Sequence, residues 1–218
     1  MGDAGADRQT SRSSQGIFRP LVAFDFDGTL TWKDSFMAFL RWRAGARRYA
    51  AGMARLAPHA FAYLGHRDRE RLKIRAVREF LAGVPRAELE AAAQRFATER
   101  SRRLLRPDAT QVWKRWQHQG ARLVIVTASP EIIVAPFARG LGAERLIGTR
   151  LAYDAQDRVT GDFIGANCRG PEKVVRLREA YGDDVVLEAA YGDTDGDREM
   201  LGIAEQPGLR VFGGRPQT

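Results

Sequence analysis

The segment LVAFDFDGTLTW, residues 21–32, sets four unbroken apolar residues against two aspartates one position apart. Alternating polarity would mark a strand with one wet face. A short unbroken run marks a strand buried on both faces, as in a parallel sheet. Similar short runs recur at Leu123–Val126, Val185–Ala190 and Leu209–Phe212. Helical stretches stand between them: Thr110–Gln119 stops at Gly120, and Pro171–Tyr181 opens on proline and stops at Gly182. This alternation predicts βαβ units and an α/β fold, a doubly wound parallel sheet with helices on both faces. Leu146–Tyr153 and Arg158–Phe163, split by DAQD, predict a hairpin excursion.

The long interval between the first two strands has a different character. Lys33 to Asp108 holds 18 Lys/Arg against 8 Asp/Glu, so its charge of +10 exceeds the +8 of the whole chain. Leu72, Ala76, Val77, Phe80 and Leu81 share one helical face over Asp68–Leu81, before Gly83. A second helix is predicted between Pro85 and Pro107, with Leu89, Ala92, Ala93, Phe96 and Leu104 apolar. The expected organisation is a disordered tail at 1–17, a catalytic core at 18–32 and 109–218, and an all-helical cap inserted at 33–108. A chain of 218 residues has room for both.

Several classes are excluded. No run reaches the roughly 18–20 apolar residues of a spanning helix; Tyr49–Gly65 is interrupted by Arg55, Pro58 and His59. The tail lacks the apolar stretch of a secretory signal. One cysteine, Cys168, permits neither an intrachain disulfide nor a cysteine-based zinc site, and fits a reducing cytoplasm. DTDGD invites a calcium-loop reading from Asp193, but its sixth place is Arg198 and its twelfth Ala204.

In an open parallel sheet, ligands bind beyond the carboxyl ends of the strands. There the sequence puts Asp25 and Asp27, then Thr127-Ala128-Ser129, then YGDTDGD with Asp193, Asp195 and Asp197. Two carboxylates about 4 Å apart repel by roughly 4 kcal/mol at an effective dielectric near 20, so such a cluster calls for a cation or protons. Few, hard oxygen donors favour Mg²⁺, completed by a substrate phosphate. Lys173, in the first turn after Pro171, is misplaced against the helix dipole unless an anion sits there. These groups together describe a metal-assisted phosphoryl-transfer site.

In this order the motifs resemble the haloacid dehalogenase-like superfamily of aspartate-nucleophile phosphatases. DFDGT matches its first motif at Asp25, Asp27 and Thr29, LVIVT its second at Thr127, Lys173 its third, and YGDTDGD its fourth at Asp193 and Asp197. A helical insertion directly after the first motif is similar to the cap of the phosphoserine-phosphatase-like branch, subfamily IB. The resemblance implies that Asp25 attacks phosphorus to form an aspartyl-phosphate, and that Asp27 protonates the leaving oxygen and later activates water. Thr127 and Lys173 would hold the phosphoryl oxygens, beside Gly28, Thr29 and Ala128. Mg²⁺ would be bound by Asp25, the Asp27 carbonyl and Asp193, with Asp197 in or near the surrounding layer. Ser129 is the alternative hydroxyl ligand, and Asp195 reads as an exposed turn acid. His59, His66 and His118 match no motif.

The motifs fix the reaction and leave the substrate to the cap. Phosphoserine-specific relatives carry a glutamate nine residues after the nucleophile; here Asp34 stands there, one methylene shorter, and it equally suits a helix N-cap. Residues 32–65 mix Trp, Phe, Leu and Met with Arg, a texture that also resembles the phosphatidylglycerophosphatase C group of the same branch. Such a stretch suits either peripheral contact with an anionic membrane face or the cap's own core. The expected partner is a small phosphorylated metabolite or a phospholipid headgroup. Nucleic-acid binding, the remote alternative, finds no motif of known spacing.

Overall fold

The computed structural model describes residues 19–66 and 69–216, with side chains throughout except at 58–66 and 69–70. The expected tail at 1–17 and the side chains of His59 and His66 lie outside the described residues.

A six-stranded sheet has the order β4-β3-β2-β1-β5-β6. Its strands are β1 (Leu21–Phe24), β2 (Arg122–Pro130), β3 (Arg145–Tyr153), β4 (Val159–Ile164), β5 (Leu187–Gly192) and β6 (Ala204–Leu209). All neighbours pair in parallel except β3 and β4, the expected hairpin, which pair antiparallel at one edge. β1 is central and buried on both faces, as its unbroken apolar run requires. Val22 and Phe24 face one core and Leu21 and Ala23 the other. Leu21 pairs with Arg122, so β1 and β2 close a loop of about a hundred residues.

That loop holds α1 (Ser35–His66), α2 (Arg69–Leu81) and α3 (Arg86–Leu104), followed by α4 (Pro107–His118). Gly45, with φ 74° and ψ 163°, interrupts α1, which lets its two halves run in different directions. The first half packs Phe39 against Phe96 of α3, and Phe96 packs on Phe137 of α5 (Glu131–Leu141). The second half packs Tyr49 on Phe80 of α2. These inserted helices therefore share one apolar core with the sheet rather than hanging free. The opposite sheet face is covered by α6 (Pro171–Tyr181) and the short α7 (Arg198–Leu201).

The final segment ties the two chain crossings together. The carboxylate of Asp108, at the start of α4, accepts from Gly213 N (2.8 Å) and Gly214 N (2.7 Å). Arg106 donates to Gly28 O (3.1 Å), Thr31 O (3.3 Å) and Gly214 O (2.9 Å).

Two strand expectations need correction. The last strand is Ala204–Leu209, not Leu209–Phe212: it pairs with β5 as an edge despite Pro207, because an edge residue can do without its N–H. Phe212 is instead a loop residue stacked on Phe24 at 6.4 Å. β2 also runs past Val126 to Pro130, which places Thr127 inside the strand rather than at its end.

Candidate active site

The carboxyl ends of β1 and β5 and the late part of β2 meet at one cavity of about 900 Å³. Because the chain runs from β1 to β2 on one side and returns through α6 to β5 on the other, this is the crevice where an α/β sheet opens to ligands. Apart from the alternative ligand Ser129, every site residue expected from the sequence lines the cavity except Thr29, which stands behind Asp25, its Oγ1 hydroxyl donating to Asp25 Oδ2 at 3.3 Å.

Lys173 is the centre of the charge network. It is 1 % exposed, and its ammonium donates to Asp25 Oδ1, Asp197 Oδ1 and Val126 O, each at 2.6 Å. Burial opposes its charge, but Asp25 and Asp197 more than offset this and raise its pKa above the usual lysine range. Its place in the first turn of α6 is thus explained by carboxylates already present in the protein. Burial pushes Asp25 up to about 7, against the pull of Lys173. Asp197 is also penalised by burial, yet Lys173 and the Thr194 donors hold it below the usual carboxylate range.

Asp27 is fixed from two sides: Oδ1 accepts from Ser35 N at 2.7 Å and Oδ2 from Ser129 Oγ at 2.5 Å. The Ser129 hydroxyl is therefore committed to Asp27, and Ser129 does not line the cavity. Thr127 does, its Oγ1 accepting from Ser129 N at 3.0 Å while its own proton stays available. Asp195 is exposed and pairs with Arg198 at 3.0 Å. His118 is an exposed residue at the end of α4.

One carboxylate oxygen from each of Asp25, Asp193 and Asp197 lies within 4.8 Å of the others. Their freedom differs. Asp197 Oδ2 accepts from Thr194 N (2.9 Å), Thr194 Oγ1 (3.0 Å) and Asp193 N (3.2 Å), so this acid organises the loop. Asp193 Oδ1, by contrast, is buried without a hydrogen-bond partner. Burial, then the charge of Asp197, pushes Asp193 up to about 6. Gly28, at φ 84°, makes room for this acid: a Cβ there would lie 2.0 Å from Asp193 Oδ2. A buried oxygen with open lone pairs, beside a second hard oxygen donor, fits a small divalent cation.

Several polar residues lining the cavity escaped the sequence reading, Lys73, Asn167 and Arg169 among them. Lys73 of α2 reaches in from the inserted helices and donates to Ala128 O at 2.7 Å. Burial lowers its pKa, opposed by Asp27, Asp34 and Asp25. Asn167 and Arg169 enter from the loop before α6. One signal was available: Lys73 directly follows Leu72 in a helix whose apolar face turns inward. Asp34 serves as the N-cap of α1, accepting from Met37 N at 2.8 Å, and also lines the cavity. Above the charged floor the cavity wall is apolar, with Met37, Met53, Leu56, Leu72 and Ala76.

The family model of haloacid dehalogenase-like hydrolases matches residues 22–202. The chain belongs to that family. It is 58% identical over 196 residues to protein CicA of Caulobacter vibrioides, covering 90% of this chain and 88% of that one. It is 30% identical over 201 residues to a phosphoserine phosphatase of Halobacterium salinarum, covering 87% and 88%. A solved structure of a Bordetella pertussis protein of unknown function superposes with a TM-score of 0.73 at 26% identity, covering 87% of this chain and 88% of that one. The chain is a phosphatase of this family, similar to its phosphoserine-phosphatase-like branch. Among the described residues, no helix is long and apolar enough to cross a membrane.

Proposed function

We propose that this protein is a Mg²⁺-dependent phosphomonoesterase working through an aspartyl-phosphate on Asp25. The observation that carries this reading is the Lys173 ammonium buried between Asp25 and Asp197, with the unpartnered Asp193 oxygen beside it. Lys173 and Thr29 orient the Asp25 carboxylate, leaving oxygen lone pairs to attack phosphorus. Lys173 and Thr127 take up phosphoryl oxygens.

Asp27 gives its proton to the leaving alkoxide. In the second step it takes a proton from the water that attacks phosphorus, so phosphate leaves and Asp25 is restored. Ser129 and the Ser35 N–H hold Asp27 in place for both transfers. Mg²⁺, held by Asp25, Asp193 and the Asp27 carbonyl, would neutralise charge on the phosphoryl group. The inserted helices act as a cap, and the apolar wall they supply excludes water from the reacting atoms.

That same wall favours a leaving group with an apolar portion, such as a lipid-like phosphate. Phosphoserine is the second reading, favoured by Asp34 and Lys73 as opposite charges at the cavity wall that suit a zwitterion. The single buried thiol supports a cytoplasmic location, and the basic cap suits an anionic membrane face.

The test is hydrolysis of p-nitrophenyl phosphate with Mg²⁺ and with EDTA, followed by a panel including phosphoserine and alkyl phosphates. Turnover that needs Mg²⁺ and is abolished by Asp25→Asn supports the reading. Full activity of that variant would falsify the mechanism.

A further inference from the structure

The stretch of α1 on both sides of Gly45 and the end of α3 border a second cavity, of about 940 Å³. It begins where the catalytic one ends, since Trp32, Lys33, Asp34 and Met37 line both. Four cations line it, Lys33, Arg41, Arg100 and Arg103, against a single carboxylate, Asp34. Asp34 is engaged as the N-cap of α1.

Among the described residues, none of the four cations forms an ion pair. Arginines elsewhere on the same helices do find acids: Arg43 pairs with Glu88 at 2.7 Å, and Arg48 and Arg55 share Glu79 at 2.6 and 2.8 Å. Glu99, next to Arg100 in sequence, accepts instead from Trp42 Nε1 at 2.8 Å. The cavity's charge is thus only partly compensated by the protein: Asp34 supplies one negative charge, and Lys33 lies 4.0 Å over the Trp32 ring, while Arg41, Arg100 and Arg103 have no acid partner among the described residues.

Clustered like charges raise the free energy of the empty groove and lower it when an anion enters. Planar guanidinium forks match the oxygens of phosphate and carboxylate, and the volume is that of a small-molecule site. The groove is concave and floored by Trp42, Tyr49 and Phe96, which suits a ligand segment better than a flat bilayer.

We propose that this groove is a distal anion subsite. The physiological phosphomonoester carries a second anionic group, phosphate or carboxylate, on its leaving group. Lys33, Arg41, Arg100 and Arg103 hold that group while the monoester lies at Asp25. The proposal rests on the phosphomonoesterase reading above and narrows its substrate to a bis-anionic molecule. The segment joining the two anions crosses the rim formed by Trp32 to Asp34 and Met37.

Alkanediol bisphosphates of graded chain length, compared with the matching alkyl monophosphates, provide the test. At the chain length that spans the rim, kcat/KM for the bisphosphate exceeds that for the monophosphate about tenfold or more, the worth of one charged hydrogen bond. The combined Arg100→Ala and Arg103→Ala variant brings this ratio toward one. Arg95→Ala, an exposed position on the same helix outside the groove, keeps it. Because the ratio is internal to each variant, a general loss of stability does not move it. A wild-type ratio near one at every length, or a ratio unchanged in the double variant, overturns the subsite while leaving the phosphomonoesterase reading intact. Failure of the wild type to hydrolyse either series overturns both. If the double variant loses co-sedimentation with anionic vesicles but keeps its ratio, the groove serves a membrane and the subsite is refuted.

Discussion

Replacing Lys173 by Met removes three hydrogen bonds of 2.6 Å and the one positive charge between Asp25 and Asp197. Breaking a buried ion pair by deleting one partner costs about 3–5 kcal/mol. An independent figure comes from the geometry. The two carboxylates, with oxygens within 4.8 Å, would repel by roughly 3 kcal/mol at an effective dielectric near 20. These are two views of one loss and do not add.

The sign of the pH dependence follows from Asp25. Its folded pKa, about 7, already exceeds the usual aspartate range, and Lys173 is what restrains it. Without that lysine the folded variant retains a proton the unfolded chain has released. Its stability then continues to fall above pH 7, by up to about 1.4 kcal/mol per pH unit per proton. Asp197, held low by Lys173, shifts in the same direction in the variant. The stability gap between wild type and variant is therefore wider at pH 8.5 than at pH 5.5. Urea unfolding in EDTA, followed by tryptophan fluorescence, measures it. Equal gaps at the two pH values, or a loss below about 1 kcal/mol, would refute the network as described.

Gly28→Ala places a methyl 2.0 Å from Asp193 Oδ2 at a φ of 84°. We expect at least about 1–2 kcal/mol of strain and a reduced rise in Tm on adding Mg²⁺, both read by thermal melts with and without the metal. Asp108→Ala releases Gly213 N and Gly214 N, for a loss of about 1–3 kcal/mol and faster proteolysis near the C-terminal segment, seen by mass spectrometry. Burial pushes the Cys168 thiol up to about 11, so iodoacetamide at pH 8 should label it only after denaturant is added. Rapid labelling of the native protein would contradict its burial.

The residues differ in how openly the sequence announces them. Asp25, Asp27 and Asp193 were legible because parallel strands deliver their ends to one edge, so chain order alone predicts convergence; Thr127 stands late within β2 and Lys173 at a helix start, and both were read from the company of those acids. The central strands were legible because burial on both faces leaves unbroken apolar runs. β6 was not: an edge strand containing Pro207 and Gly208 is not obliged to be apolar, while Val211 and Phe212 imitate a strand from a loop. Lys73 was hidden because an amphipathic pattern gives a helix's inward face but not what that face meets. Spacing alone does not divide the labour between Asp193 and Asp197; only the family resemblance implied it. Both are acids of one loop, and only the hydrogen bonds to Thr194 show which is already engaged.

The pairing of Leu21 with Arg122 across about a hundred residues bears on how such a core tolerates its insertions. Loop-closure entropy rises only logarithmically with length, by about 0.6 kcal/mol for each doubling. Stretching an ordinary crossover of about 25 residues to about a hundred is two doublings, or about 1.2 kcal/mol. That is less than the roughly 1.5–3 kcal/mol from burying one Phe or Leu, and the inserted helices bury several, including Phe36, Phe39 and Leu89. The crossover after β1 is a place where a folded module costs the sheet almost nothing in chain entropy. It also opens directly onto Asp25 and Asp27, so, on the function proposed above, recognition elements added there would change the substrate without disturbing the strands that carry the chemistry.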